Sequence, residues 1–119
     1  MDDTVAVTTA QAVPLVEVQV KGVLDAHAAP GVNHLLEEAL VLRPRQIVVD
    51  LTECEAIDAA GILLLLDAHR RAARDGGTVA LRSPNARARR SLRLARVDRI
   101  LQILPLRTAD VPLQGPVVL

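Results

Sequence analysis

Five side chains in this sequence are candidates for acid–base, nucleophilic or metal chemistry. They are Asp25, His27, Cys54, Asp58 and His69. None of them falls in a zinc-protease, Cys-x-x-Cys, dinucleotide-binding or phosphate-loop motif. His27 and His69 lack a partner at ligand spacing, and Asp25 lacks a companion for general acid–base work. The sequence therefore predicts no enzyme activity, no metal and no cofactor.

Cys54 is the one nucleophile of higher intrinsic reactivity, and its neighbours argue against that role. It lies in an apolar turn between Glu53 and Glu55. Two adjacent carboxylates should raise the pKa of the thiol and disfavour the reactive thiolate. A single cysteine also rules out an internal disulfide and fits a reducing compartment. We expect Cys54 to be inert.

The most informative stretch covers residues 47–66 and reads IVVDLTECEAIDAAGILLLL. It combines a buried strand, a short loop, an Asp at a helix N-cap, two small residues, a glycine and an apolar helix start. Two interpretations stay open at this point. Small residues there leave backbone N–H groups uncovered for a partner, or they merely let the helix pack closely on a sheet.

The elements that must position this stretch can be assigned from periodicity and from turn residues. The first half is predicted to contain strands at Val5–Thr9 and Leu15–Lys21 joined as a hairpin, a strand end at Gly22–Asp25, a helix over Ala29–Leu42, a strand over Gln46–Leu51 and a turn over 52–57. The second half is predicted to contain a helix over Ala59–Asp75 stopped by Gly76–Gly77, a strand over Thr78–Leu81, a helix capped by Ser83 or Asn85 and ending near Arg96, and a strand over Ile100–Leu104.

This order of elements predicts an α/β fold, with helices packed on a mixed, mostly parallel sheet of about four to five strands. The chain has 119 residues, the ordinary size of one domain. We expect that domain over residues 1–104 and a loosely ordered tail over 105–119. Because no aromatic residue is present, the core must consist of aliphatic side chains, and stacking on nucleic-acid bases is excluded.

Formal net charge is zero, but the charges are distributed unevenly. Residues 1–76 carry six basic against twelve acidic groups, and residues 77–119 carry eight arginines against two aspartates. We interpret the basic stretch as a solvated helix face. The alternative is a nucleic-acid-binding surface built from Arg87, Arg89, Arg90 and Arg93. An acidic N-terminus and the absence of a long apolar run predict a soluble, cytoplasmic protein.

The stretch Ile57-Asp58-Ala59-Ala60-Gly61-Ile62 resembles a loop of the STAS family, named for sulphate transporters and anti-sigma antagonists. That loop reads roughly Ile-Asp-Ser-Ser-Gly-Leu between a buried strand and an apolar helix. Gly22-Val23-Leu24-Asp25 matches the family's Gly-Glu-Leu-Asp element, apart from Val23. Residues 43–47 and 97–101 are similar to its other recurring stretches. The resemblance covers about residues 5–104.

The resemblance implies an anti-sigma factor antagonist that binds a kinase-type anti-sigma factor in partner switching. The implied docking residues are Asp25, Asp58, Ala59, Ala60, Gly61 and Ile62. Family kinases phosphorylate the first Ser after the motif's Asp, and that position is Ala59, which cannot accept phosphate. We expect a monomer or weak homodimer that contacts neither nucleic acid nor a membrane.

Three explanations of Ala59 stay open from the sequence: an antagonist that is always able to bind, a scaffold component of a signalling complex, or an engineered change. The neighbouring Ala60 makes a single engineered change less simple, so we favour a natural variant. A module that binds phosphate or a nucleotide at the start of the second helix is the alternative of a different class.

Overall fold

The computed structural model describes residues 14–106. Three helices in this range connect six strands. The strands are β1 Leu15–Gln19, β2 Gly22–Leu24, β3 Gln46–Asp50, β4 Cys54–Ile57, β5 Thr78–Arg82 and β6 Gln102–Leu104. The helices are α1 Ala29–Val41, α2 Ala59–Arg74 and α3 Ala86–Leu94, followed by a 3₁₀ turn at Val97–Arg99. The α/β architecture predicted from the sequence is confirmed.

The main sheet has the strand order β1-β3-β5-β6, and each neighbouring pair is parallel. Val18, Val49, Leu81 and Ile103 stand in register across its four strands. Parallel neighbours need a crossover, which α1 supplies between β1 and β3 and α2 between β3 and β5. The predicted hairpin strand over residues 5–9 and most of the predicted tail lie outside the described residues.

Two of the strand predictions made from the sequence are wrong. The predicted strand over 15–21 stops at Gln19, and a separate strand, β2, begins at Gly22, whose φ is +76°. The stretch predicted to be only a turn contains β4, which pairs in parallel with β2 to form a second, two-stranded sheet. Pairing between strands so distant in the chain leaves no local periodic pattern, so the sequence did not indicate it.

The hydrophobic core lies between the main sheet and the helices. Buried side chains of β1, β3 and β5 meet Leu36 and Leu40 of α1 and Leu65 of α2 in one cluster. The apolar repeat of α1 and the apolar start of α2 predict Leu35 and Leu63 in the core, and both predictions are wrong: Leu35 is 43% exposed and Leu63 is 62% exposed. The helix boundaries are close to those predicted, and Gly76, with φ of +80°, follows the end of α2. No helix within residues 14–106 is long and apolar enough to cross a membrane.

Candidate functional site

The second sheet brings Asp25 and Asp58 to adjacent positions. Leu24 and Ile57 are register partners at the carboxyl ends of β2 and β4, and each aspartate is the next residue along its strand. The backbone N–H of Asp58 donates to the carbonyl oxygen of Leu24 at 3.1 Å. Because the strands are parallel, both aspartates emerge from the same edge. Two of the docking residues implied by the family resemblance therefore lie side by side.

Asp58 is the N-cap of α2, as predicted. Its backbone is extended, with φ of −102° and ψ of −174°. Its Oδ1 accepts from the backbone N–H of Gly61 at 3.0 Å, and its carbonyl oxygen accepts from Ile62 N–H at 3.0 Å. A carboxylate in this place satisfies an otherwise unpaired donor and meets the positive end of the helix dipole. The orientation of the Asp58 side chain is therefore fixed by the helix it begins.

Asp25 makes the same pair of contacts at the entry to α1. Its Oδ1 accepts from Ala28 N–H at 2.9 Å, and its carbonyl oxygen accepts from Ala29 N–H at 2.8 Å. These contacts close the turn that leads into α1, whose N-cap is Ala28. This role of Asp25 was not predicted, because the apolar repeat of α1 begins several residues later, at Val32. An Asp placed shortly before Pro30, which suits a first helical turn, was the available signal.

The close packing of α2 on β2 explains why residue 61 is a glycine. A Cβ atom at Gly61 would lie 2.7 Å from the carbonyl oxygen of Leu24 and 2.9 Å from Cγ2 of Ile57. The start of α2 is therefore pressed onto β2 too closely for any side chain. Gly61 and Ile62 are both buried. These two predicted docking residues therefore lie beneath the exposed surface. Of the two interpretations of the small residues, close packing of the helix on the sheet is the right one for Gly61.

The outward part of the loop consists of small and acidic residues. Asp58 and Ala59 are exposed, while Asp25 and Ala60 are half-buried. We call these four residues the cap surface. Because Asp58 accepts from the N–H groups of Gly61 and Ile62, the first turn of α2 keeps only the donors of Ala59 and Ala60 for an outside group.

An apolar groove between α1 and α2 adjoins the cap surface. The groove is shallow and has a volume of about 440 Å³. Ala60 lines it and belongs to the cap surface as well, so the two are continuous. Leu63, one turn further along α2, is its most exposed large apolar side chain. The remaining lining residues are Ala26, Ala29, Pro30, Asn33, Leu64 and Asp67.

The other candidate residues are not brought together with the cap surface. Cys54 is buried, and its Sγ donates to the carbonyl oxygen of Ala56 at 3.4 Å. Burial raises the pKa of the Cys54 thiol, and the negative charge of Glu55 adds to that rise. The direction predicted from the sequence is confirmed, although burial is the larger cause. His27 is exposed and His69 half-buried. Among residues 14–106, no group of three or more His, Cys, Asp or Glu side chains is placed to hold a metal ion.

Comparison with known proteins identifies the family. Residues 7–105 match the family described as "Mlab, STAS domain", so the chain belongs to the STAS domain family. No curated protein matches the chain. Among solved structures, it is similar to an anti-sigma factor antagonist from Mycobacterium paratuberculosis, with 20% identity, 80% of each chain covered and a TM-score of 0.72.

Two further structures share the fold. The anti-sigma factor antagonist SpoIIAA in its unphosphorylated form is 17% identical, with 85% of this chain and 87% of that chain covered and a TM-score of 0.70. The STAS domain of a SulP transporter from Vibrio cholerae is also 17% identical, with 80% and 76% covered and a TM-score of 0.62. The fold is thus common to anti-sigma factor antagonists and to a transporter domain.

Proposed function

We propose that this STAS domain is a non-enzymatic regulator that binds another protein through the cap surface. The observation that carries the proposal is the exposure of Ala59 at the start of a helix whose position is fixed on both sides. Asp58 holds the loop through its cap, and Gly61 presses the helix onto β2. A surface fixed in this way loses little conformational freedom when a partner covers it, which favours binding.

The geometry favours a protein over a phosphate or nucleotide at this place. The carboxylate of Asp58 caps the helix start that offers the two remaining N–H donors, and Asp25 follows the neighbouring strand at the same edge, so a phosphate would meet negative charge there. A small-residue surface next to an apolar groove instead suits the flat, partly apolar contact area of a protein partner. Ala60 and Leu63 would contribute the apolar part of that contact.

The partner class follows from the family resemblance. We infer a kinase-type anti-sigma factor, bound in the cytoplasm in a partner-switching system that controls transcription. In such a system the kinase releases itself by phosphorylating the residue at position 59. Ala59 carries a methyl group there, so binding would persist in the presence of ATP. A scaffold in a larger signalling complex is the second candidate, and it differs in that its partner would not be an anti-sigma factor.

The direct test is a pull-down from the native cell with the full chain as bait and mass spectrometry of the bound proteins. We expect a kinase-type anti-sigma factor with the wild type and with Ala86→Asp, and its absence with Ala59→Asp. Ala86 is a matched control because it is also the exposed first residue of a capped helix. Equal recovery of that factor with both variants would place its binding site elsewhere.

Restoring the hydroxyl tests the regulatory part of the proposal. Ala59→Ser should become phosphorylated by the captured kinase with ATP and should then release it, whereas the wild type should remain bound. Since Ser is tolerated in the first turn of a helix and Ala59 is exposed, the melting temperature should hardly change. Phosphate at high occupancy on Thr52, Thr78, Ser83 or Ser91 of the wild type would contradict constant binding.

A further inference from the structure

The exposed side of α3 has a composition that the proposed function does not use. Ala88 and Leu92 face the core. At 100° per residue, the exposed part of the helix circumference carries four arginines together with one large aliphatic residue, Leu94, which is 76% exposed. We call this side the arginine face. Its members are Arg87, Arg89, Arg90, Arg93 and Leu94.

The arginine face continues into the 3₁₀ turn that packs against α3. Arg96 and Arg99 are exposed there, and Ile100, directly after the turn, is 55% exposed. Asp98 is the single acidic residue between positions 87 and 100. In residues 14–106 the arginines that ion-pair with carboxylates are Arg71 and Arg82. The six guanidiniums of α3 and the turn therefore form no ion pair with a described carboxylate, although Asp98 lines one small depression together with Arg89 and Arg93.

We propose that the arginine face binds the surface of an anionic lipid bilayer, with Leu94 and Ile100 entering the headgroup region. Clustered arginines are attracted to anionic headgroups, and exposed aliphatic side chains among them add apolar contact at the interface. The proposal does not depend on the cap surface, which is built from different elements. It replaces the expectation of no membrane contact. That expectation rested on the sequence alone, which does not show that these arginines lack ion pairs with described carboxylates or that Leu94 and Ile100 are exposed.

The shape of the face favours a bilayer over other anionic partners. The depression beside it, lined by Arg89, Leu92, Arg93, Asp98 and Ile103, has a volume of only about 70 Å³, so an acidic peptide finds no groove to occupy. The face carries no Asn or Gln to read base edges and no aromatic ring to stack on bases. An exposed surface of arginines and aliphatic residues without a deep depression is instead suited to a flat anionic layer.

The test is sedimentation of the full chain with vesicles at low salt. We expect binding to vesicles with about 30% phosphatidylglycerol in phosphatidylcholine and none to pure phosphatidylcholine. The double variant Arg90→Glu/Arg93→Glu should lose at least about 25-fold in affinity, since each arginine contributes roughly fivefold. Leu94→Ser and Ile100→Ser should each lose roughly five- to tenfold. Circular dichroism checks that every variant is folded.

The control is Arg70→Glu/Arg74→Glu, two exposed arginines of α2 that change the net charge equally. Compared at about 0.1 M salt, where the Debye length is about 10 Å, it should bind anionic vesicles within about threefold of the wild type, because the charges of α2 lie outside the arginine face. An equal loss in this control, or no binding of the wild type at low salt, would overturn the proposal. So would binding to a short DNA duplex that matches the vesicle affinity and is unaffected by Leu94→Ser, because that result identifies a polyanion-binding surface without lipid insertion.

Discussion

Helices α2 and α3 begin in the same way. Each follows an extended residue whose side chain accepts a hydrogen bond from the third N–H of the helix: Asp58 from Gly61 at 3.0 Å, and Asn85 from Ala88 at 2.8 Å. In both helices the first residue is an exposed alanine. The caps satisfy equivalent donors. Judged by local chemistry alone, the two helix starts are interchangeable.

Their surroundings differ, and the surroundings decide what each start can bind. Gly61 presses α2 onto β2, which leaves a smooth, acidic surface of small residues. Asn85 instead ties α3 to β4, since its Nδ2 donates to the carbonyl oxygens of Cys54 at 3.1 Å and Glu55 at 3.2 Å. Arginines follow it on the exposed side. The same capping chemistry therefore supports one surface suited to a protein and another suited to an anionic layer.

The largest expected difference between the two starts is in partner binding. Ala59→Asp should weaken binding to the anti-sigma factor by about two orders of magnitude, because a new charge on the cap surface would be desolvated without a counter-charge. The matched variant Ala86→Asp should leave that affinity unchanged. Calorimetric titration of both variants with the captured factor measures the difference.

The same pair should differ little in stability. Both new carboxylates meet the positive end of a helix dipole, worth about 0.3–1 kcal/mol. Ala59→Asp recovers less of this because Asp58 repels it, whereas Ala86→Asp stands next to the neutral Asn85. Thermal melting should therefore show both variants folded. A folded Ala59→Asp that binds with wild-type affinity would show that the cap surface is not the docking site.

The close approach that distinguishes the α2 start can be broken by one methyl group. Gly61→Ala should destabilise the domain by about 2 kcal/mol, because the backbone of Leu24 must move away from the new Cβ. Gly31→Ala in α1 is the control, since its Cβ would meet no atom within 4 Å. It should stabilise the helix by about 0.5–1 kcal/mol. Urea unfolding measures both, and equal effects would mean that α2 is not held against β2.

Features of the site that depend on neighbours in the chain could be predicted from the sequence. The cap at Asp58 was predicted correctly because an Asp followed by small residues and an apolar run defines a helix start within a few positions. The stop at Gly76 rests on equally local chemistry. The hydrogen bonds of Asp25 to the turn before α1 are local too, but the apolar repeat of α1 begins only at Val32 and gave no sign of them.

Features that depend on distant segments could not be predicted. The pairing of β2 with β4 joins residues far apart in the chain, so neither short strand carries a recognisable pattern. The exposure of Leu63 depends on how closely α1 approaches α2, and an all-apolar stretch gives no information about that distance. The arginine-rich stretch was visible in the sequence, but its lack of ion-pair partners among the described residues required the fold.

Removing the two caps tests how far the helix starts are equivalent. Asp58→Ala should cost about 1 kcal/mol, the usual value of an N-cap. Asn85→Ala should cost about 2 kcal/mol, because it also removes the two hydrogen bonds to β4. Only Asp58→Ala should weaken partner binding. Equal losses of stability would show that the attachment of α3 to β4 contributes nothing beyond the cap.

Cys54 lies in β4, between the two helix starts, and gives the smallest expected effect. Because burial raises the pKa of its thiol in the folded protein, the native state retains a proton that the unfolded chain releases in alkaline solution. The free energy of unfolding should therefore fall as the pH rises from about 8 to about 10.

The chain suits this measurement because it contains no tyrosine and a single lysine, Lys21. Urea unfolding of the wild type and of Cys54→Ala across this range separates the thiol from the remaining groups. The stability of the wild type should decline more steeply than that of the variant, by up to about 1 kcal/mol. Parallel declines would mean that the Cys54 thiol titrates alike in the folded and unfolded chains, and that β4 is open to solvent between the two helix starts.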